Sequence, residues 1–90
     1  MARIDVHAEG PGAFRVDVDE DGSTSEHRVT VSEEDLERLG AGYASAEEFI
    51  RACFEFLLAR EPKEQILRRF DVSVISRFFP DFEEEIRRGG

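Results

Sequence analysis

The sequence predicts an α+β fold: a three-stranded antiparallel β-meander in residues 1–31, followed by four helices packed on it in residues 32–88. Three observations predict it. Apolar residues alternate with polar ones through the first third of the chain, which is the period of a half-buried strand. After residue 31 the apolar spacing becomes that of an amphipathic helix, and Ser, Asp and Pro stand at positions that start helices. The chain has 90 residues, 40% of them hydrophobic and 37% charged, which is enough apolar surface for one core and too little chain for two. A single domain over residues 1–90 is therefore expected.

Ile4, Val6 and Ala8 alternate with Arg3, Asp5 and His7, and Phe14, Val16 and Val18 alternate with Arg15, Asp17 and Asp19. Each set gives a strand with one apolar face. Glu9-Gly10-Pro11-Gly12 and the Asp21-Gly22 pair are turn sequences. A third strand is expected near residues 25–31, with His27, Val29 and Val31 on one face and Arg28 and Thr30 on the other. Loops this short favour antiparallel neighbours. His27 would be a histidine at the end of the sheet with a local hydrogen bond.

Ser32 then caps a helix with Glu33, Glu34 and Asp35 in its first turn, where the helix dipole favours acids, and Gly40 ends it. Ser45 and Glu48 form a Ser-x-x-Glu capping box that opens a second helix over residues 46–60. Glu47, Arg51 and Glu55 recur every four residues and mark its wet side. Its other residues, Phe49, Ile50, Cys53, Phe54, Phe56, Leu57 and Leu58, are apolar through roughly 250° of arc, more than a surface helix needs. The sheet must cover one side, and the C-terminal segment, a second subunit or both must cover the other. Pro62 should stop this helix and open a third through Phe70. Asp71 should cap a further turn or two holding Val74, Ile75, Phe78 and Phe79, and Pro80 should begin a last helix with Arg87-Arg88 at its end.

The chain carries 21 Asp and Glu against 12 Lys and Arg, a net charge of −9. Residues 1–26 hold two cations against seven acids (−5), residues 27–61 four against eight (−4), and residues 62–90 six against six (0). Only the last third could approach a phosphate backbone without strong repulsion. Cys53 is the one cysteine, so no disulfide forms within the chain, and its apolar surroundings make it a core thiol; a reducing cytoplasm fits. No signal-peptide pattern opens the sequence, and the apolar run Phe56-Leu57-Leu58-Ala59 is far too short to cross a membrane. Eleven of the 12 basic residues are Arg, a composition associated with GC-rich bacterial genomes.

Catalysis needs proton-exchanging or nucleophilic groups gathered in one pocket. His7 and His27 fall on different strands with opposite parity, which keeps them apart. Cys53 has no histidine or cation on its helical face to lower its pKa. Glu83-Glu84-Glu85 and the acids Asp17, Asp19, Glu20 and Asp21 lack the spacing of a calcium loop. Gly10-Pro11-Gly12 is too short, and too poor in free amides, to cradle a phosphate. No catalytic residue, metal site or cofactor is expected.

Residues 28–61 carry a further pattern. Arg28-Val29-Thr30-Val31 alternates, Ser32-Glu33-Glu34-Asp35-Leu36-Glu37-Arg38-Leu39 is a short capped helix, and Ser45-Ala46-Glu47-Glu48-Phe49-Ile50-Arg51 opens another. That order resembles the ribbon-helix-helix DNA-binding family. The resemblance implies a strand paired with its two-fold mate in a major groove, presenting Arg28 and Thr30 to the bases, with the Ser45 end of the second helix at a phosphate. The acids Glu33, Glu34, Asp35, Glu47 and Glu48 stand where phosphates would come. Residues 65–79 also resemble a helix-turn-helix, with Ser73, Ser76 and Arg77 on its second helix. Residues 54–86, with their Arg60-Glu61-Pro62-Lys63-Glu64-Gln65-Ile66-Leu67 and Phe78-Phe79-Pro80-Asp81-Phe82 runs, look similar to a stretch shared by short bacterial proteins of unassigned function. That likeness implies no activity.

The residues point first to a small, non-enzymatic protein-interaction module. It is expected to be a homodimer that contacts its own copy, or another protein, through Phe54, Leu58, Phe78 and Phe79, and not a membrane. A ribbon-helix-helix-like transcriptional regulator or antitoxin acting through Arg28, Thr30 and Ser45 comes second. An enzyme comes third.

Overall fold

The computed structural model of the chain describes residues 2–89. Strands β1 (Arg3–Gly10), β2 (Ala13–Glu20) and β3 (Ser23–Thr30) form an antiparallel meander. Val16 stands between Val6 and His27, and Val18 between Ile4 and Ser25, so the apolar sets of all three strands share one face. Asp21 and Gly22 have φ of 56° and 78°. Positive φ at both centres of a two-residue loop gives the type I′ turn whose twist matches the flanking strands. At Gly12, φ is 69° and a Cβ would lie 2.6 Å from the Val31 carbonyl oxygen, so only glycine lets the first hairpin pack against the chain leaving β3.

Helix α1 (Glu33–Gly40) and helix α2 (Ala46–Leu58) begin where their caps predict. The Asp35 amide donates to Ser32 Oγ at 3.0 Å and the Glu48 amide to Ser45 Oγ at 3.1 Å. α2 stops at Leu58, two residues before the expected end. Its charged strip is not closed by Arg51, which instead donates to the Ile4 carbonyl and ties α2 to the edge strand. Arg60 lies 3.6 Å over the centre of the Phe56 ring and reaches Asp81.

The sheet has four strands, not three, and it is mixed. After Pro62 the chain makes only a 3₁₀ turn at Lys63–Gln65 before β4 (Arg69–Asp71) joins the sheet parallel to β3, with Arg28 beside Arg69, Val29 beside Phe70 and Thr30 beside Asp71. The expected helix from Pro62 to Phe70 is replaced, and the helix-turn-helix order of residues 65–79 goes with it. The physical reason is that β3 would otherwise leave one edge of backbone groups unpaired while Phe54 of α2 lay open beside it. β4 satisfies the first and Phe70, 5.9 Å from Phe54 ring to ring, covers the second.

Asp71 caps the next segment as predicted, accepting from the Ser73 amide at 3.1 Å. A 3₁₀ turn at Val72–Val74 runs into helix α3 (Ile75–Phe78), and helix α4 (Phe82–Gly89) starts two residues after Pro80. α2 lies on the apolar face of the sheet with Phe49, Ile50, Cys53 and Phe54 fully buried. Its other side is covered by the same chain: Phe56 meets Phe79 and Phe82 edge-on at 5.8 and 5.1 Å. Tyr43 fastens α4 by donating to the Ile86 carbonyl at 2.7 Å. His27 is not at the sheet's end but inside the core at 1% exposure, 5.4 Å from Phe54.

Candidate functional site

Among the described residues only two large hydrophobic side chains are exposed, Leu67 at 51% and Phe78 at 66%. Both line the same groove, a cavity of about 430 Å³ where α2 ends and β4 and α3 begin. Leu57, Ile66, Phe70 and Ile75 are its buried apolar walls, with Glu61, Gln65, Val74 and Phe79 completing it. Local structure explains the arrangement. Ile66 and Phe70 turn into the core while Leu67, between the bends at Ile66 and Arg68 that lead from the 3₁₀ turn to β4, is exposed. On the short α3, Ile75 is buried and Phe78 faces solvent.

The groove wall is anchored from inside. His27 Nδ1 donates to the Leu67 carbonyl at 2.8 Å, which leaves Nε2 to accept from the Ser25 hydroxyl at 2.8 Å. Burial lowers the His27 pKa, and the nearby Arg68 charge lowers it further, against the raising effect of the Leu67 carbonyl. The imidazole is therefore a neutral tie between β3 and Leu67. On the far side of β4, burial works to raise the Asp71 pKa, but hydrogen bonds from Thr30 and from the Ser73 amide and hydroxyl outweigh it and hold the carboxyl below its ordinary value. Of the charged residues only Glu61 lines the groove, while Arg68 follows Leu67 and Arg77 precedes Phe78 in the chain; among the described residues none of these three forms an ion pair, whereas Arg28, Arg38, Arg60 and Arg88 each do.

Of the four residues expected at a partner surface, Phe78 and Phe79 line the groove. Leu58 is half-buried against the core outside it. Phe54 is fully buried between His27 and Phe70 and offers no surface, because β4 closes the side of α2 that three strands would leave open. Sequence reasoning misses Leu67 and Ile66. Read as part of a helix, their opposite directions give no signal.

The residues expected at DNA lie elsewhere. Arg28 and Thr30 are on the sheet face opposite α2, with Arg28 paired to Glu9 at 2.6 Å and Glu26 at 3.7 Å and Thr30 donating to Asp71. Their strand is paired on both sides, with β2 and β4, so neither of its edges is free for a two-fold mate there. Ser45 Oγ accepts from the Glu48 amide as a helix cap. His7, Arg15, Arg28 and Arg69 do form one row across all four strands, but Asp5, Asp17 and Glu26 form the next. Asp17 lies 3.6 Å from His7 and 3.5 Å from Arg15, so the positive row is answered by a negative one.

The groups capable of chemistry are dispersed. His7 and His27 lie on opposite faces of the sheet, and burial pushes the Cys53 thiol pKa well up, the opposite of what a nucleophile needs. No three His, Cys, Asp or Glu side chains among the described residues are grouped to hold a metal ion. No helix among them is long and apolar enough to cross a membrane. Compared with protein-family models, curated proteins and solved structures, the chain gives no match.

Proposed function

We propose that this protein is a small, non-enzymatic interaction module and that the groove between α2, β4 and α3 is where it binds another protein surface. The observation that carries this is the convergence of Leu67 and Phe78 on one concave apolar wall. A single exposed hydrophobe is ordinary, but two large ones beside an apolar cavity mark a contact surface. Covering the part of each that is exposed, about half of Leu67 and two-thirds of Phe78, would contribute about 1–2 kcal/mol apiece. The dispersal of His7, His27 and Cys53 supports a role in binding over one in catalysis. The two-sided pairing of β3 and the acid row beside Arg28 lend the regulator alternative less support.

The test is a photo-activated crosslinker installed in place of Phe78 in cells that make the protein, with Glu37 on the exposed side of α1 as control. A discrete crosslinked product from position 78 and none from position 37 is the expected result. Absence of any discrete product from position 78, with the protein folded and expressed, would overturn the proposal.

A further inference from the structure

The groove is one half of a fitting surface, and the other half lies on the same patch. Phe78 projects from its rim while Leu57, Ile66, Phe70 and Ile75 form the hollow beside it. A two-fold interface requires that property, because each copy must present both the inserting group and the place it enters. Resting on the groove as the binding surface, we infer that its occupant is a second copy of this chain, each protomer inserting Phe78 into the other's groove about a two-fold axis.

Charge selects this occupant over others. Two copies bring −9 against −9, and such a pair repels wherever residues 1–61 face each other; residues 62–90 hold six cations and six acids and supply most of the groove. Glu61 lines the groove, and the exposed Arg77 precedes Phe78 on α3; neither has an ion-pair partner among the described residues. An acidic partner would satisfy Arg68 and Arg77 but meet Glu61, and a basic partner would do the reverse. A second copy answers both. When Phe78 enters the opposite groove, the adjacent Arg77 arrives at the opposite Glu61, and two-fold symmetry makes that contact twice. Rim charges of this kind select the partner and set its register more than they add affinity.

The prediction is tested by exchanging charges. Wild type, Glu61→Arg and Arg77→Glu are compared by size-exclusion chromatography with light scattering at tens of micromolar, roughly the scale of weak association, with circular dichroism showing each is folded. Wild type is dimeric, and each variant alone associates about tenfold more weakly because two like-charged contacts replace two attractive ones. An equimolar mixture of the variants regains the wild-type dimer, since position 61 of each copy then meets the opposite charge at position 77 of the other. A monomeric wild type, or a mixture no more associated than its components, overturns the inference. If wild type is monomeric while a crosslinker at position 78 captures a different protein, the second-copy inference falls and the interaction-module proposal stands.

Discussion

His27 shows how one side chain can hold a surface in place from within. It is buried on β3, donates to the Leu67 carbonyl and accepts from Ser25, so it fixes the backbone of an exposed groove residue without touching solvent. Its pKa is lowered from 6.5 by burial first, so the unfolded chain takes up a proton more readily than the folded one. The stability this contributes is complete above about pH 6.5 and is lost as pH falls through the folded-state value. Urea midpoints should therefore drop between about pH 7 and pH 5 in the wild type. His27→Gln should start less stable and show a flatter profile over that window; an equally steep profile would assign the loss to other groups. Cys53 is a second residue whose surroundings decide its behaviour. Buried among Phe49, Phe54 and Leu57, with its thiol pKa raised by desolvation, it should react with a thiol reagent only as fast as the chain unfolds. Modification of the native protein at the unfolded rate would contradict that burial.

Elements whose causes are local can be read from the sequence, and the one whose cause is distant cannot. Ser32 and Ser45 cap α1 and α2 through an amide three residues on, the Asp21-Gly22 turn sets its own twist, and Asp71 caps the segment before α3. Each depends on neighbours within four residues. Accordingly Ser45→Ala should cost about 1 kcal/mol in denaturant unfolding without altering association; loss of association at full stability would give Ser45 a contact role instead. β4 differs in kind. It is three residues long, too short for a period of two to declare itself, and its partner Val29 is far away in sequence from Phe70. Its absence from the sequence-based expectation also misplaces Phe54 as a surface residue and conceals Leu67, whereas Phe78 and Phe79 are legible as an apolar pair beyond the main helix. Because Phe70 covers Phe54 and lines the groove, Phe70→Ala should destabilise the domain by about 3 kcal/mol or more. A change below about 1 kcal/mol, on the order of an exposed substitution, would mean that β4 is not docked in solution.

Over the whole molecule, charge and apolar surface are divided between two ends of the chain. Acids dominate residues 1–61, and on the open sheet face rows of opposite charge neutralise each other. Residues 62–79 supply both exposed hydrophobes and most of the groove that receives them. In the proposed dimer, the acidic body would keep copies apart except at the balanced end and steer association to that one surface. The most direct test is sedimentation equilibrium of wild type and Phe78→Ser over a wide concentration range. Phe78 is exposed in the single chain, so the substitution should leave folding intact by circular dichroism while shifting the dimer to monomer. A folded Phe78→Ser protein that associates as strongly as wild type would show that the groove is not the surface by which this protein binds its own copy.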